Sequence, residues 1–384
     1  MEKPERNTAD LLVECLIEEG VEYIFGIPGE ENLALMNAIY DSPIKFITVR
    51  HEQGAAFMAD VYGRLTGKAG VCLSTLGPGA TNLITGVADA YSDGAPLVAI
   101  TGQVGTERMH ITSHQFLDLT KMFEPITKRT KMVVRPDTIN KLYQPEVEVV
   151  GDISDSLLQI GRRTARHQEP EKALELKARM VAEHESYAGD ASFPMKPQRI
   201  LQDVRKVMGK DDIVISDVGA HKMWIARHYQ CYEPNTCIIS NGFATMGISV
   251  PGAIGARLVY PDKKILAICG DGGFMMNCQE FETALRAKTP FVTLIFNDSS
   301  YGLIKWKQMD QYHKNCYVDF TNPDFVKFAE SMGAIGYRIE KAEDLVPTLE
   351  KAFQQKVPVI IDCPVDYSEN TKLTVHLEEL MKEL

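Results

Sequence analysis

The chain has 384 residues, 45% hydrophobic and 24% charged, which allows two or at most three domains and rules out a disordered or low-complexity protein. Its net charge of −11 makes a field that repels nucleic acid and anionic lipid, so neither is expected as a partner. Any phosphate-bearing ligand must then be held by local devices: backbone amides, helix ends or a bridging metal.

In chain order, Thr8-Ala9-Asp10 ahead of Leu11, Leu12, Cys15, Leu16 and Ile17 reads as a capped helix with an apolar stripe. Residues 23–29 read as a short buried strand stopped by the Pro28-Gly29 turn. A strand over 45–50, an alanine-rich helix over 52–65 and a strand over 71–76 follow. The last of these ends in Gly77-Pro78-Gly79, before a helix over 81–90 and a strand over 97–101. From 137 to 194 the character changes. A strand over 143–152, a helix over 154–163 and a charged helix over 169–187 make a segment too short and polar for a globular domain. The second half returns to apolar strands over 213–217, 265–269, 291–296 and 359–362, with a helix over 279–288 among the elements between them. Short apolar strands alternating with helices predict α/β architecture: two doubly wound parallel-sheet domains, 1–142 and 195–384, joined by a partly helical linker, 143–194.

Segment 1–7 has no apolar core of a signal peptide, and no apolar run approaches the ~18 residues of a membrane span. The eight cysteines show no CxxC spacing, and Cys72 and Cys269 lie inside apolar runs. Reduced, buried thiols in a cytoplasmic protein are therefore expected.

The sharpest chemical feature is the strand-turn-helix at Cys269-Gly270-Asp271-Gly272-Gly273, followed after a helix and a strand by Phe296-Asn297-Asp298. Both acids stand just past the carboxyl ends of strands, one crossover apart, where open α/β sheets bind ligands. Two carboxylates and a backbone carbonyl from the Ser299-Ser300-Tyr301-Gly302 turn suit Mg²⁺. Gly270, Gly272 and Gly273 let the backbone approach a diphosphate. By spacing alone, two aspartates capping turns is the alternative. In the first half, Glu52 sits where a strand meets a small-residue helix; by position alone it is a helix-start carboxylate favoured by the dipole. Gly77-Pro78-Gly79-Ala80-Thr81-Asn82 lacks the Lys-Ser/Thr of a P-loop and reads as a shape-forming turn. His51, His110, His114 and His221 lack metal-ligand spacing.

Taken together, Arg50-His51-Glu52-Gln53-Gly54-Ala55-Ala56, Gly77 to Asn82, Ser113-His114-Gln115-Phe116-Leu117-Asp118, Asp217-Val218-Gly219-Ala220-His221, Gly242 to Gly247, Gly270-Asp271-Gly272 and Asn297-Asp298 resemble the thiamine diphosphate enzymes. They are most similar to the catabolic acetolactate synthase branch. The resemblance implies that Glu52 hydrogen-bonds a ring nitrogen of the cofactor's aminopyrimidine and that Gln115 faces substrate. Asp271, Asp298 and the Ser300 carbonyl become the Mg²⁺ ligands, although many relatives have Asn where Asp298 stands. Gly219, Ala220, His221, Gly272, Gly273 and Tyr301 hold the diphosphate end. Met246 lies under the cofactor's bend, and Pro28, Pro78 and Asn82 surround the pyrimidine.

The implied reaction joins two pyruvates, with loss of CO₂, to 2-acetolactate. The implied assembly is a homodimer with active sites between subunits, or a higher oligomer. Residues 1–142 become the pyrimidine-binding domain and 195–384 the diphosphate-binding domain. The family normally carries a middle domain between these halves; here Leu142 runs directly into what resembles that domain's tail, so 143–194 is its remnant and the first domain is shortened at its end. FAD is not expected. A 2-oxoacid decarboxylase releasing aldehyde, or a form that binds cofactor without turnover, are the alternatives.

Overall fold

The computed structural model describes residues 7–105, 108–109, 114–133 and 170–373. Among these residues ten strands form two sheets, and every strand pair is parallel. The first sheet holds β1 (Tyr23–Gly26), β2 (Lys45–Thr48), β3 (Gly70–Ser74) and β4 (Leu97–Thr101), in the order β2-β1-β3-β4. The second holds β5 (Ile213–Ser216), β6 (Cys237–Ile239), β7 (Ile265–Gly270), β8 (Val292–Asn297), β9 (Ile335–Arg338) and β10 (Val359–Pro364). Their order is β6-β5-β7-β8-β10-β9. The chain therefore reverses direction across each sheet, between β1 and β3 in the first and between β5 and β7 in the second. Such switch points leave a crevice at the carboxyl ends of the strands.

The expected doubly wound α/β architecture is the one found. All five residues of β3 are buried, as are the first five of β7, which is why these strands read as continuous apolar runs rather than alternating ones. The helix expected over 279–288 is present as Glu280–Arg286, and a further short helix, Asp271–Asn277, precedes it. The charged helix expected over 169–187 is present as Pro170–Ser186. The strand expected over 143–152 and the helix over 154–163 lie outside the described residues.

The Glu52–Thr66 helix is the axle of the molecule. It packs on the first sheet, on the Pro78–Ser92 helix and on the Ser249–Val259 helix of the second half. Small residues on all three helices let their axes approach closely, and Phe57, Met58 and Val61 join Ile215, Ala253, Ile254 and Phe281 in one core shared by both halves. The outer face of the second sheet has its own core around Leu201, Trp224, Leu266 and Leu294. The outer face of the first is covered by Val13, Leu16, Leu35 and Ile39.

His228, at the end of the Ala220–His228 helix, lies against Trp224 and against His184 of the Pro170–Ser186 helix. Burial pushes its imidazole down to about 4, opposed by the Glu183 carboxylate 3.9 Å away. An unfolded chain takes up that proton below its ordinary value of 6.5, whereas the folded chain does so only near 4. Stability should therefore fall as pH drops from 6.5 to 4. A His228→Phe variant should lose on the order of 1–2 kcal/mol less than the parent across that window in urea unfolding. Identical pH profiles would contradict the buried, neutral assignment.

Candidate functional site

The Asp271 and Asp298 loops leave adjacent strands. β7 and β8 pair in register up to Gly270 opposite Phe296, which carries both acids to one edge of the sheet. Asp271 is buried, and each of its oxygens is engaged. Oδ1 accepts from Gly272 N at 2.9 Å; Oδ2 accepts from Ser299 N and from Asn322 Nδ2, both at 2.7 Å. Asp298 Oδ2 accepts from the Ser300 hydroxyl at 2.7 Å. Burial pushes the Asp298 carboxyl up to about 6, with the Asp271 charge adding to the rise. Burial likewise raises Asp271, against the hydrogen bonds that hold it ionised. Two desolvated carboxylates sharing one loop cluster create a demand for positive charge. Among the described residues no three His, Cys, Asp or Glu side chains converge on a metal-sized point. A cation here would complete its shell with backbone carbonyl, ligand oxygen or water.

Gly219 leads into the Ala220–His228 helix after β5, and His221 is 2% exposed. Its Nε2 is buried without a hydrogen-bond partner, its ring lies beside Phe296, and burial pushes it down to about 4. It is thus a neutral imidazole facing Gly270. Gly272 lies under the partly exposed Tyr301 ring; a Cβ there would stand 2.8 Å from the ring edge, so a larger residue would require that ring to shift. Gly273 packs against Asp217. Met246 is half-buried in the loop after β6.

In the first half, Glu52 opens its helix behind the N-cap His51, whose Nδ1 accepts from Gln53 N at 3.1 Å. Glu52 is 8% exposed; its Oε2 accepts from Asn82 Nδ2 at 2.9 Å, and Gly79 lies beside its Oε1. Gly77, at φ +57°, caps the start of the Pro78–Ser92 helix, so the shape-forming turn expected there is present. Gln115 packs directly on Gly77. Pro28 and Pro78 are exposed at the same ends of β1 and β3. Pro28, Glu52, Pro78, Asn82 and Gln115 are thus gathered by one half, and Gly219, Ala220, His221, Met246, Gly272, Gly273, Asp271, Asp298, Ser300 and Tyr301 by the other. Among the described residues no hydrogen bond or ion pair joins Glu52 to the Asp271 and Asp298 loops. Two surface clefts, one lined by Lys210, Glu233 and Tyr260, the other by Arg64, Asp93 and Ile239, include none of these residues. His110 and Ser113 lie outside the described residues.

Several further residues shape this site. Asp217, fully buried, accepts from Val218 N, Gly247 N, Ser249 N and the Ser249 hydroxyl, and so clamps the turn that follows Met246. Asn277 Nδ2 donates to Gly247 O at 2.8 Å. Glu280, fully buried in the second half, accepts from Arg50 N and His51 N just ahead of Glu52. Asp217 falls inside a family-like segment of the sequence, whereas only burial, invisible in a single sequence, distinguishes Asn277 and Glu280 from ordinary polar residues.

Residues 6–128 match the profile of the thiamine pyrophosphate enzyme N-terminal TPP binding domain, and residues 217–363 that of the C-terminal TPP binding domain. The chain belongs to the thiamine pyrophosphate enzymes. It carries both thiamine diphosphate-binding domains of that family, one on each sheet. It is 29% identical to acetolactate synthase of Bacillus subtilis (strain 168), over 97% of this chain and 96% of that protein. It is 26% identical to the catabolic acetolactate synthase of Raoultella terrigena over 99% and 100%, and 26% identical to a probable acetolactate synthase large subunit of Methanococcus aeolicus over 94% and 92%. The B. subtilis alignment runs over 550 positions against 384 residues here, so at least 166 positions of that alignment have no residue of this chain. No helix among the described residues is long and apolar enough to cross a membrane.

Proposed function

We propose that this chain is a cytoplasmic, thiamine diphosphate- and Mg²⁺-dependent enzyme that decarboxylates pyruvate and condenses the product with a second pyruvate to give 2-acetolactate. The observation that carries the reading is the pair of acids, buried Asp271 and half-buried Asp298, whose charges repel at the carboxyl ends of the adjacent strands β7 and β8. The orphaned Nε2 of His221, whose ring lies against Gly270, and the close approach of Gly272 to Tyr301 fit an anionic diphosphate with its cation. Asp271, Asp298 and the Ser300 carbonyl would hold Mg²⁺. Gly219, Ala220, His221, Gly272, Gly273 and Tyr301 would hold the diphosphate, Met246 would lie under the bend between the two rings, and Pro28, Pro78 and Asn82 would enclose the pyrimidine. When bound, thiamine diphosphate supplies the electron sink that decarboxylation of a 2-oxoacid requires.

The chain's own part is to place and move protons. Asn82 fixes Glu52 by one oxygen and leaves the other free beside Gly79, so a heterocycle nitrogen arriving there meets a carboxyl able to share a proton. Burial keeps water from competing for that position. Gln115, held over Gly77, is placed to orient substrate. Because Glu52 and the acid pair belong to opposite halves, the complete site is proposed to form in a homodimer, with one protomer supplying each half. Residues 143–194 are proposed as the remnant of a middle domain, and FAD is not part of the proposal.

Purified protein given pyruvate, thiamine diphosphate and Mg²⁺ should release CO₂ and form acetolactate. Acetaldehyde as the product would mark a simple decarboxylase instead. The unmatched alignment positions favour one second reading, a form that binds cofactor without turnover, since displacing a catalytic group by ~1 Å can cost about a hundredfold. Thermal stabilisation by cofactor and Mg²⁺ with no product would identify that form.

A further inference from the structure

Arg64, on the Glu52–Thr66 helix, is the hub of a charged cluster that none of these roles uses. Its Nε and Nη2 meet both oxygens of Asp60 at 2.7 and 2.8 Å. Nη2 also reaches Asp89 at 3.1 Å, and Nη1 reaches Asp93 at 2.8 Å. Asp60 and Asp89 are fully buried. The remaining oxygens of this cluster face the other half of the molecule. Asp89 Oδ1 accepts from the buried Ser240 hydroxyl at 2.6 Å, and Asp93 accepts from the backbone N–H groups of Asn241 and Gly242. Ser240 Oγ in turn accepts from Thr245 N at 3.1 Å, and Lys222 Nζ donates to Ser240 O at the same distance.

The segment leading to Met246 is therefore fastened at its start to carboxylates of the first half. Asp217 holds it just past Met246. Between the two clamps the chain has little of its own to stiffen it: residues 241–244 are exposed, and Phe243 is half-exposed. Three acids face Arg64 and Lys222, and desolvation pushes the Asp60 carboxyl up to about 7, so it can retain a proton and bring the cluster near neutrality. A charge-balanced, buried anchor of this kind is costly to break once its members are paired.

We propose that Arg64, Asp60, Asp89 and Asp93 are positioning residues that fix the Ser240–Met246 loop of the second half in the conformation that receives the cofactor. The proposal rests on the thiamine diphosphate reading of Met246, and its test separates the two. Asp93→Ala removes two loop anchors at a partly exposed position and leaves Arg64 with Asp60 and Asp89. Binding of thiamine diphosphate with Mg²⁺, measured by calorimetry, should weaken at least about 10-fold, the worth of charge-assisted hydrogen bonds to one loop. At saturating cofactor, kcat should stay within about 3-fold, and Asp93→Asn, which retains one acceptor oxygen, should recover most of the affinity. In cofactor-free protein, chymotrypsin should cut after Phe243 faster in Asp93→Ala than in the parent. That last readout needs no ligand: if the parent binds no thiamine diphosphate, the cofactor reading falls while faster cleavage still supports the anchor. Unchanged affinity together with unchanged cleavage overturns the anchor. Ser240→Ala, which cuts the Asp89 link instead, should repeat both effects if Asp93→Ala does not fold; a Ser240→Ala protein that matches the parent in both overturns it equally.

Discussion

A Glu52→Gln enzyme should bind thiamine diphosphate and Mg²⁺ within a few-fold of the parent and lose about 10²- to 10⁴-fold in turnover, the usual range for removing a positioned proton-transfer group. The substitution keeps the shape. The amide oxygen of glutamine can accept from Asn82 Nδ2 as Glu52 Oε2 does now, and the amide nitrogen then occupies the place beside Gly79. What changes is that this second position can no longer accept or share a proton with a ring nitrogen. Glu52 also loses its favourable place at the start of a buried helix, worth only ~0.3–1 kcal/mol, so the fold should survive. Calorimetry for binding and product formation for turnover separate the two effects. Full turnover in the variant would remove Glu52 from the chemistry, and lost binding would make it a structural carboxylate.

Much of this site was legible because its chemistry needs particular residue types at strand ends. Gly270-Asp271-Gly272 and Asp298 announce themselves by position after apolar strands, and β7 and β8 do bring them to one edge. Glu52 stood at a strand-helix junction that is also a convenient place for any acid, so its position alone pointed to the dipole rather than to catalysis. The edge strands β6 and β9 gave no signal. They are three and four residues long; β9 contains Gly336, and β6 follows Asn235 at φ +57°. Such short pieces become strands because a neighbour is already paired, a cause that acts across the sheet and not along the sequence. The same holds for Glu280 and the Arg64 cluster. Each is an ordinary polar residue in sequence, and each acquires its role from partners 25 to 230 positions away.

The two acids of the proposed cation site should respond to substitution with opposite signs in stability. Asp271 does structural work as well as offering a ligand: it accepts from Gly272 N, Ser299 N and Asn322 Nδ2. Asp271→Ala strands those donors around a small void, which should destabilise the cofactor-free protein by about 1–3 kcal/mol. It should also raise the Mg²⁺ concentration needed for half-saturation by two orders of magnitude or more, as a ligating charge is lost. Asp298 accepts from the Ser300 hydroxyl and otherwise stands as a second desolvated charge beside Asp271. Asp298→Asn keeps an oxygen for that hydroxyl and for the cation while removing the repulsion. The cofactor-free protein should then become more stable by ~1 kcal/mol at pH 7, and half-saturation should rise by no more than about 10-fold. Thermal unfolding without cofactor, together with calorimetric titration of Mg²⁺ at saturating thiamine diphosphate, reads both effects. If Asp271→Ala leaves the metal titration unchanged, the acids are turn caps and the cation site is wrong. If Asp298→Asn lowers stability as Asp271→Ala does, Asp298 is not the strained, desolvated charge that its burial and the neighbouring Asp271 imply.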